Sequence, residues 1–210
     1  RANRPAWHLA ALRASTGATQ ESVVGPWADV LAAQAARDTP ALRPWLAKAK
    51  RAGTDPARWR ELIAAVAAKV AHKRTGTTPG SPAAAIRRGK GDRASLLLRL
   101  AQHAGVRACL IRVRPWSRQP GYGAPDPADY GLSAVQLWLA DGAKLRPMWV
   151  DPGVDGALFD YLRAGLRNRP AVRVGCDPAL PIALTTPDLG AAADRRDVAI
   201  ELVWHANGAV

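Results

Sequence analysis

Nucleophilic chemistry needs a thiol, hydroxyl or amine with a base beside it, and this chain offers few such groups. It holds two cysteines, Cys109 and Cys176, and four histidines, His8, His72, His103 and His205. Cys109 lies inside the apolar run VRACLIRV, where a thiol usually behaves as a small buried hydrophobe. Cys176, in VGCDPALP, reads as a loop residue. Two cysteines are too few for a disulfide framework or a zinc site, and the sequence leaves a bond between them open. No His/Cys/Asp cluster has metal-ligand spacing, so no metal or other cofactor is expected. His72 falls near a helix end and His103 one residue before another, where each reads as a solvated terminal residue rather than a ligand.

The stretch with the outline of a reactive site is Arg87–Trp116, RRGKGDRASLLLRLAQHAGVRACLIRVRPW. A glycine-rich turn leads into an amphipathic helix from about Asp92 to Ala104. Leu96, Leu97, Leu100, Ala101 and Ala104 face inward, and Gly105 is the stop. A helix N-terminus favours anions and thiolates, yet the turn presents glycine, Lys90 and Asp92. Ser95 sits in the first turn with no base nearby in sequence. Lys90 as an amine nucleophile would need a lowered pKa, which Asp92 opposes. From Arg87 to Arg118 the cations far outnumber the single acid, Asp92. Lys90, Arg93 and Arg114, with the flat rings of Trp116 and Tyr130 on the adjoining loops, are the candidate binding residues for an anionic or peptide partner.

The elements around this stretch follow from periodicity. Short amphipathic helices are expected over Trp27–Ala36 and Ala41–Lys50. A longer one begins at Thr54 or Asp55, with Trp59, Leu62, Ile63, Val66 and Val70 in one apolar stripe. Thr75–Ala84 reads as a loop. VRACLIRVR is a largely buried strand, and LSAVQLWLADGAKLRPMWVDPG is a hairpin turning at Asp141-Gly142. The chain is irregular from Leu158 to Asp188, then closes with an alternating strand. Helices followed by an antiparallel sheet make an α+β chain.

Composition narrows the function classes. The net charge is +13, but 24 of the 30 basic residues are Arg in an Ala-rich chain. That bias reflects base composition as much as selection for charge. No dense Lys/Arg tract and no RNA-recognition or zinc-finger signature appears, which argues against a nucleic-acid binder. No apolar run is long enough for a membrane-spanning helix. The chain opens at Arg1 without a methionine and reads as a piece of a longer protein.

The order of elements, with the quoted residues, resembles the transglutaminase-like superfamily, which has a papain-like cysteine-protease fold. It looks most like the bacterial domains of that kind found in large, often exported proteins. Those read G-[DN]-C-x-[DE]-x-A-x-L-L-x-x-L-x-x-x-G-[IV]-x-A, then a His-bearing strand, then W-[LV]-D-P. Asp92, Ala94, Leu96, Leu97, Leu100, Gly105, Val106 and Ala108 match, as do Trp149, Val150, Asp151 and Pro152. The resemblance runs from about Trp27 to the end. It divides the chain into an extension (1–25), a core (26–170), and a linker with the first strands of a further β-rich segment (171–210). It implies a Cys–His–Asp triad, but the cysteine position falls on Lys90, or Gly91 with a one-residue slip. The histidine position falls on Leu132, or Ser133 with a slip, and only Asp151 keeps its type. Asp151 could also serve a purely structural turn. The resemblance thus implies an inactive, extracytoplasmic module that binds a protein or anionic ligand. An active hydrolase or acyltransferase with unusual groups and a polyanion binder stay open as alternatives.

Overall fold

The computed structural model describes residues 30–31, 39–73, 80–115, 130–156, 158–176 and 182–189. Of the helix expected over Trp27–Ala36, only residues 30 and 31 fall within them, and they are helical. The closing strand expected after Asp188 lies outside them.

Helix α1 (Arg43–Ala52) buries Leu46, Ala49 and Ala52. Helix α2 (Pro56–Lys69) begins where the sequence places it. Asp55 Oδ1 accepts from Ala57 N at 2.8 Å and Arg58 N at 3.4 Å, and Pro56 fills the first turn. Its stripe of Trp59, Leu62, Ile63 and Val66 is buried, and the Trp59 indole donates to Gly53 O at 2.8 Å. Burying the ring is thereby compatible with its polar N–H.

Three elements depart from expectation. The second helix ends at Lys69, and Ala71–His72 form a short strand, β1. Part of the supposed loop is helix α3 (Pro82–Arg88), capped by Ser81 and closed by Gly89 in the left-handed conformation (φ 62°). Strand β2 (Lys90–Gly91) then pairs in parallel with β1, Ala71 against Lys90 and His72 against Gly91.

Helix α4 (Arg93–His103) is the centre of the molecule. Eight of its residues are buried, and it packs on α1, α2 and α3 on one side and on the sheet on the other. The sheet comprises β3 (Ala108–Val113), β4 (Leu132–Asp141), β5 (Lys144–Val150), β6 (Pro170–Val174) and β7 (Ile182–Thr185). Its spatial order is β5-β4-β3-β6-β7, antiparallel throughout. The architecture is therefore α+β, with helices packed on a five-stranded antiparallel sheet. The hairpin turns at Asp141-Gly142, where glycine's freedom at φ 62° is used. The stretch read as irregular supplies β6 and β7. Strand β6 lies against β3 within the same sheet, so the boundary drawn at residue 170 falls at the first residue of a sheet strand.

Alternation divides the side chains between two faces. Leu110, Val135, Leu137, Leu139, Met148, Val150, Val172 and Val174 join the helices in the main core. On the far face Ile111, Val113, Ala134, Trp149 and Ala171 pack against Leu162 and against Leu166, the last residue of a 3-10 turn (Ala164–Leu166). Cys109 is also on this far face and is bonded to Cys176, with Cα atoms 4.9 Å apart. Cys176 lies just past β6 outside any strand, as the sequence suggested, and the bond to Cys109 that the sequence left open is formed.

Candidate functional site

At the N-terminus of α4, Asp92 is almost wholly buried and fully committed. Its Oδ1 accepts from Ala94 N at 2.9 Å. Its Oδ2 accepts from the Ser95 hydroxyl at 2.6 Å and from Gly80 N at 3.3 Å. The hydroxyl of Ser95 therefore donates to a cap and not to a base. Arg93, the next residue, is drawn into the fold rather than toward a ligand. Its guanidinium donates to the carbonyls of Ala67 (2.9 Å), Val70 and Pro152 (3.2 Å), and pairs with Asp155 at 2.8 Å. Two of those carbonyls belong to the C-terminal end of α2, where orphan acceptors need donors. One side chain thus ties α2, α4 and the turn after β5 together.

The second candidate position lies at the start of β4. Leu132 packs with the far-face cluster, while Ser133 faces the helices. Buried Arg112 of β3, opposite Ser133 in the register, donates to the Ser133 Oγ at 2.8 Å. Of the two residues considered for the histidine position, Ser133 is the one on the helix side. The third position, Asp151, follows β5 directly. Its Oδ1 accepts from Gly153 N at 2.8 Å, and its Oδ2 accepts from Arg163 N at 3.1 Å and pairs with Arg163 Nε at 3.2 Å. A Cβ at Gly153 would run into the Arg163 guanidinium, so glycine lets that pair close over the turn.

Asp92 and the start of β4 meet, whereas Lys90 does not join them. A narrow crevice is lined by His72, Asp92, Arg112, Gly131, Leu132, Ser133 and Arg163, the last carrying Asp151. Its free space is barely that of one water molecule. His72, read from sequence as a solvated helix-terminal residue, is half-buried here. Its Nδ1 is shielded from solvent with no hydrogen-bond partner. Burial pushes the imidazole below its usual pKa, and Arg163 and Arg93 push the same way, against Asp92 and Asp151. The proximity of a helix C-terminus, which would raise that pKa, does not prevail.

The remaining candidates are dispersed. Lys90 is exposed on β2, opposite Ala71, and does not line the crevice. Gly91 has no room for any side chain, because a Cβ would stand 2.8 Å from the Ala85 Cβ. Arg114 is half-buried with its guanidinium 5.5 Å from the centroid of the buried Tyr130 ring. Trp116 lies outside the described residues. His103 is exposed at the end of α4.

Sequence reasoning missed His72, Arg112 and Arg163. Arg112 carried a usable signal, since period two along ACLIRV sets it on the same face as Ala108 and Leu110. His72 and Arg163 carried none, because their places depend on a two-residue parallel pairing and on an irregular turn. Among the described residues no group of three or more His, Cys, Asp and Glu side chains could hold a metal ion. No helix among them is long and apolar enough to cross a membrane. No protein-family model, curated protein or solved structure matches the chain.

Proposed function

We propose that the chain is a catalytically inactive transglutaminase-like module that binds a protein or ligand within a larger, exported protein. The observation that carries this reading is the crevice itself. Residues next to the three triad positions line or edge it, and its carboxylates and its serine are spent on structure, while the unpartnered Nδ1 of His72 bonds to none of them. Asp92 caps a helix, Ser133 accepts from Arg112, and Asp151 holds a turn closed through Gly153 and Arg163. Acyl transfer requires a nucleophile within hydrogen-bond reach of a base, with space for a carbonyl beside them. The crevice has room for little more than one water, and a thiol at position 91 would collide with Ala85. The Cys109–Cys176 bond supports an oxidising compartment, since such bonds persist in exported proteins and rarely in the cytosol.

The test is turnover. The purified chain is incubated with a glutaminyl peptide plus a primary amine, and separately with peptide and ester substrates. Rates should not exceed those in buffer. Turnover that D92N or S133A abolishes would overturn the reading.

A further inference from the structure

The small parallel sheet of β1 and β2 has two unlike sides. Successive residues of a strand alternate between them. His72 lines the crevice and Gly91, opposite it in the register, is half-buried, whereas the other pair, Ala71 and Lys90, is exposed. Lys73 extends the exposed row, and its backbone N–H donates to Gly91 O at 2.9 Å. The ends of two helices frame this row. Lys69 is the last residue of α2, and its carbonyl lies 3.6 Å from where a Cβ on Gly89 would stand. Arg87 and Arg88 close α3 just before Gly89. Lys69, Lys73, Arg87, Arg88 and Lys90 are all exposed, and none of them forms an ion pair among the described residues. The carboxylates of the region are engaged or distant. Asp92 caps α4, and Asp155 pairs with Arg93 at 2.8 Å. Glu61 lies two turns back along α2 from Lys69, about 12 Å away.

Part of this charge has a structural use. Cations in the last turn of a helix face the negative end of its dipole, which accounts for Lys69, Arg87 and Arg88. Lys73 and Lys90 lie outside any helix, and the end of α2 already has Arg93 as donor to its carbonyls. Nothing in the fold calls for a second and third cation on that row, where only solvent and salt screen their repulsion. The kind of partner follows from what the face lacks. Neither the crevice nor the cleft of about 540 Å³ beside Cys176 includes any of these residues, so a small anion would find no walls there. The face carries no aromatic ring on which a base could stack. The exposed large apolar side chains among the described residues, Leu145 and Leu158, lie on β5 and in the segment after it. The face thus has neither an anchor for a bilayer nor the apolar centre of a protein interface, from which lysine is usually depleted.

We infer that this face binds an acidic polysaccharide, with Lys73 and Lys90 as its central contacts and Lys69, Arg87 and Arg88 at its rim. An ammonium meets an anionic group as a point charge and asks for no fixed orientation, which suits a flexible chain of repeating charges. Each contact also releases a counterion from the polymer, so binding weakens steeply with salt. The choice of a glycan over a nucleic acid rests on the exported location proposed above. The face itself shares no residue with the crevice, so its binding does not depend on whether the crevice is inert.

The test titrates the oxidised chain into fluorescein-labelled dextran sulfate at low ionic strength and follows anisotropy, with uncharged dextran as the reference. Saturable binding to dextran sulfate, none to dextran, and a steep loss on adding sodium chloride are expected. K73Q/K90Q should weaken binding by about tenfold or more and flatten the salt dependence. Both side chains are exposed and bond to nothing in the fold, so circular dichroism should show this variant folded like the wild type. K50Q/K144Q removes the same charge elsewhere, Lys50 standing by the start of α2 and Lys144 on β5, and should change the affinity by less than about twofold. Equal loss in the two double variants would show attraction to the whole charge of the molecule and overturn the face, as would no binding at all. Tighter binding to duplex DNA, or to phosphatidylglycerol vesicles, than to dextran sulfate would overturn the polysaccharide.

Discussion

Removing the Asp92 carboxylate should be costly for reasons that can be separated. Asp92 Oδ1 satisfies the Ala94 amide at the start of α4, and loss of such a cap costs about 1 kcal/mol. Oδ2 accepts from Ser95, whose hydroxyl is 1 % exposed, and an orphaned buried donor costs about 1–3 kcal/mol more. D92A should therefore lose about 3 kcal/mol, which for a chain of this size is a fall of roughly 6–12 °C in Tm. S95A removes the donor and leaves Asp92 its bonds to Ala94 and Gly80, so it should cost only about 1 kcal/mol. The double variant has no orphaned hydroxyl. Its loss should fall short of the summed single losses by about 1 kcal/mol or more. Urea unfolding of the four proteins, followed by circular dichroism, measures the cycle. Strict additivity, or a D92A loss under about 1 kcal/mol, would refute the assignment of Asp92 to cap and Ser95 acceptor.

Other outcomes follow from the same geometry. Reducing the Cys109–Cys176 bond, which spans 67 residues, should destabilise the chain by up to about 4 kcal/mol through loop entropy. The urea midpoint with and without reductant measures this, and the C109S/C176S double variant should match the reduced protein. His72 should give a pH dependence of definite sign. Its folded pKa lies below the unfolded value of 6.5, so the unfolded chain takes up the proton first as pH falls. Its contribution is full above pH 6.5 and declines as pH drops below that value toward the folded pKa. Between pH 7.5 and pH 5 the urea midpoint of the wild type should fall relative to that of H72N. A wild-type midpoint that rises relative to H72N on acidification would show a raised pKa, as a solvated helix-end histidine would have.

Much of the fold was legible because its local signals agree with its packing. Asp55 with Pro56, and Asp92 with the leucines and Gly105 after it, mark helices whose caps and stripes the structure reproduces. The hairpin around Asp141-Gly142 reads the same way. What was missed depends on partners distant in the chain. Strands β1 and β2 have two residues each, too few to show a period, and β2 exists because Gly91 can lie against Ala85. Strand β6 begins at a proline and carries Arg173 among apolar residues, so only its place beside β3 marks it as sheet. Of the positions read for the site, Leu132 and its alternative Ser133 line the crevice and Asp151 reaches it through Arg163, whereas Lys90 stands exposed outside it. Their partners were not read, because Arg112, Arg163 and His72 arrive from elements that the crevice itself brings together. Arg93 reads as a free cation at a helix N-terminus. Burial and the orphan carbonyls of α2 turn it inward instead.

The central claim is that the crevice holds no available nucleophile. Its most direct measurement is the intact mass of the folded, oxidised chain after exposure to an electrophilic acyl probe. A control with the chain unfolded in urea shows what the probe labels when its targets are freed. Peptide mapping should place no adduct at Ser95 or Ser133 of the folded chain. A stoichiometric adduct at either, absent from the unfolded control, would contradict it.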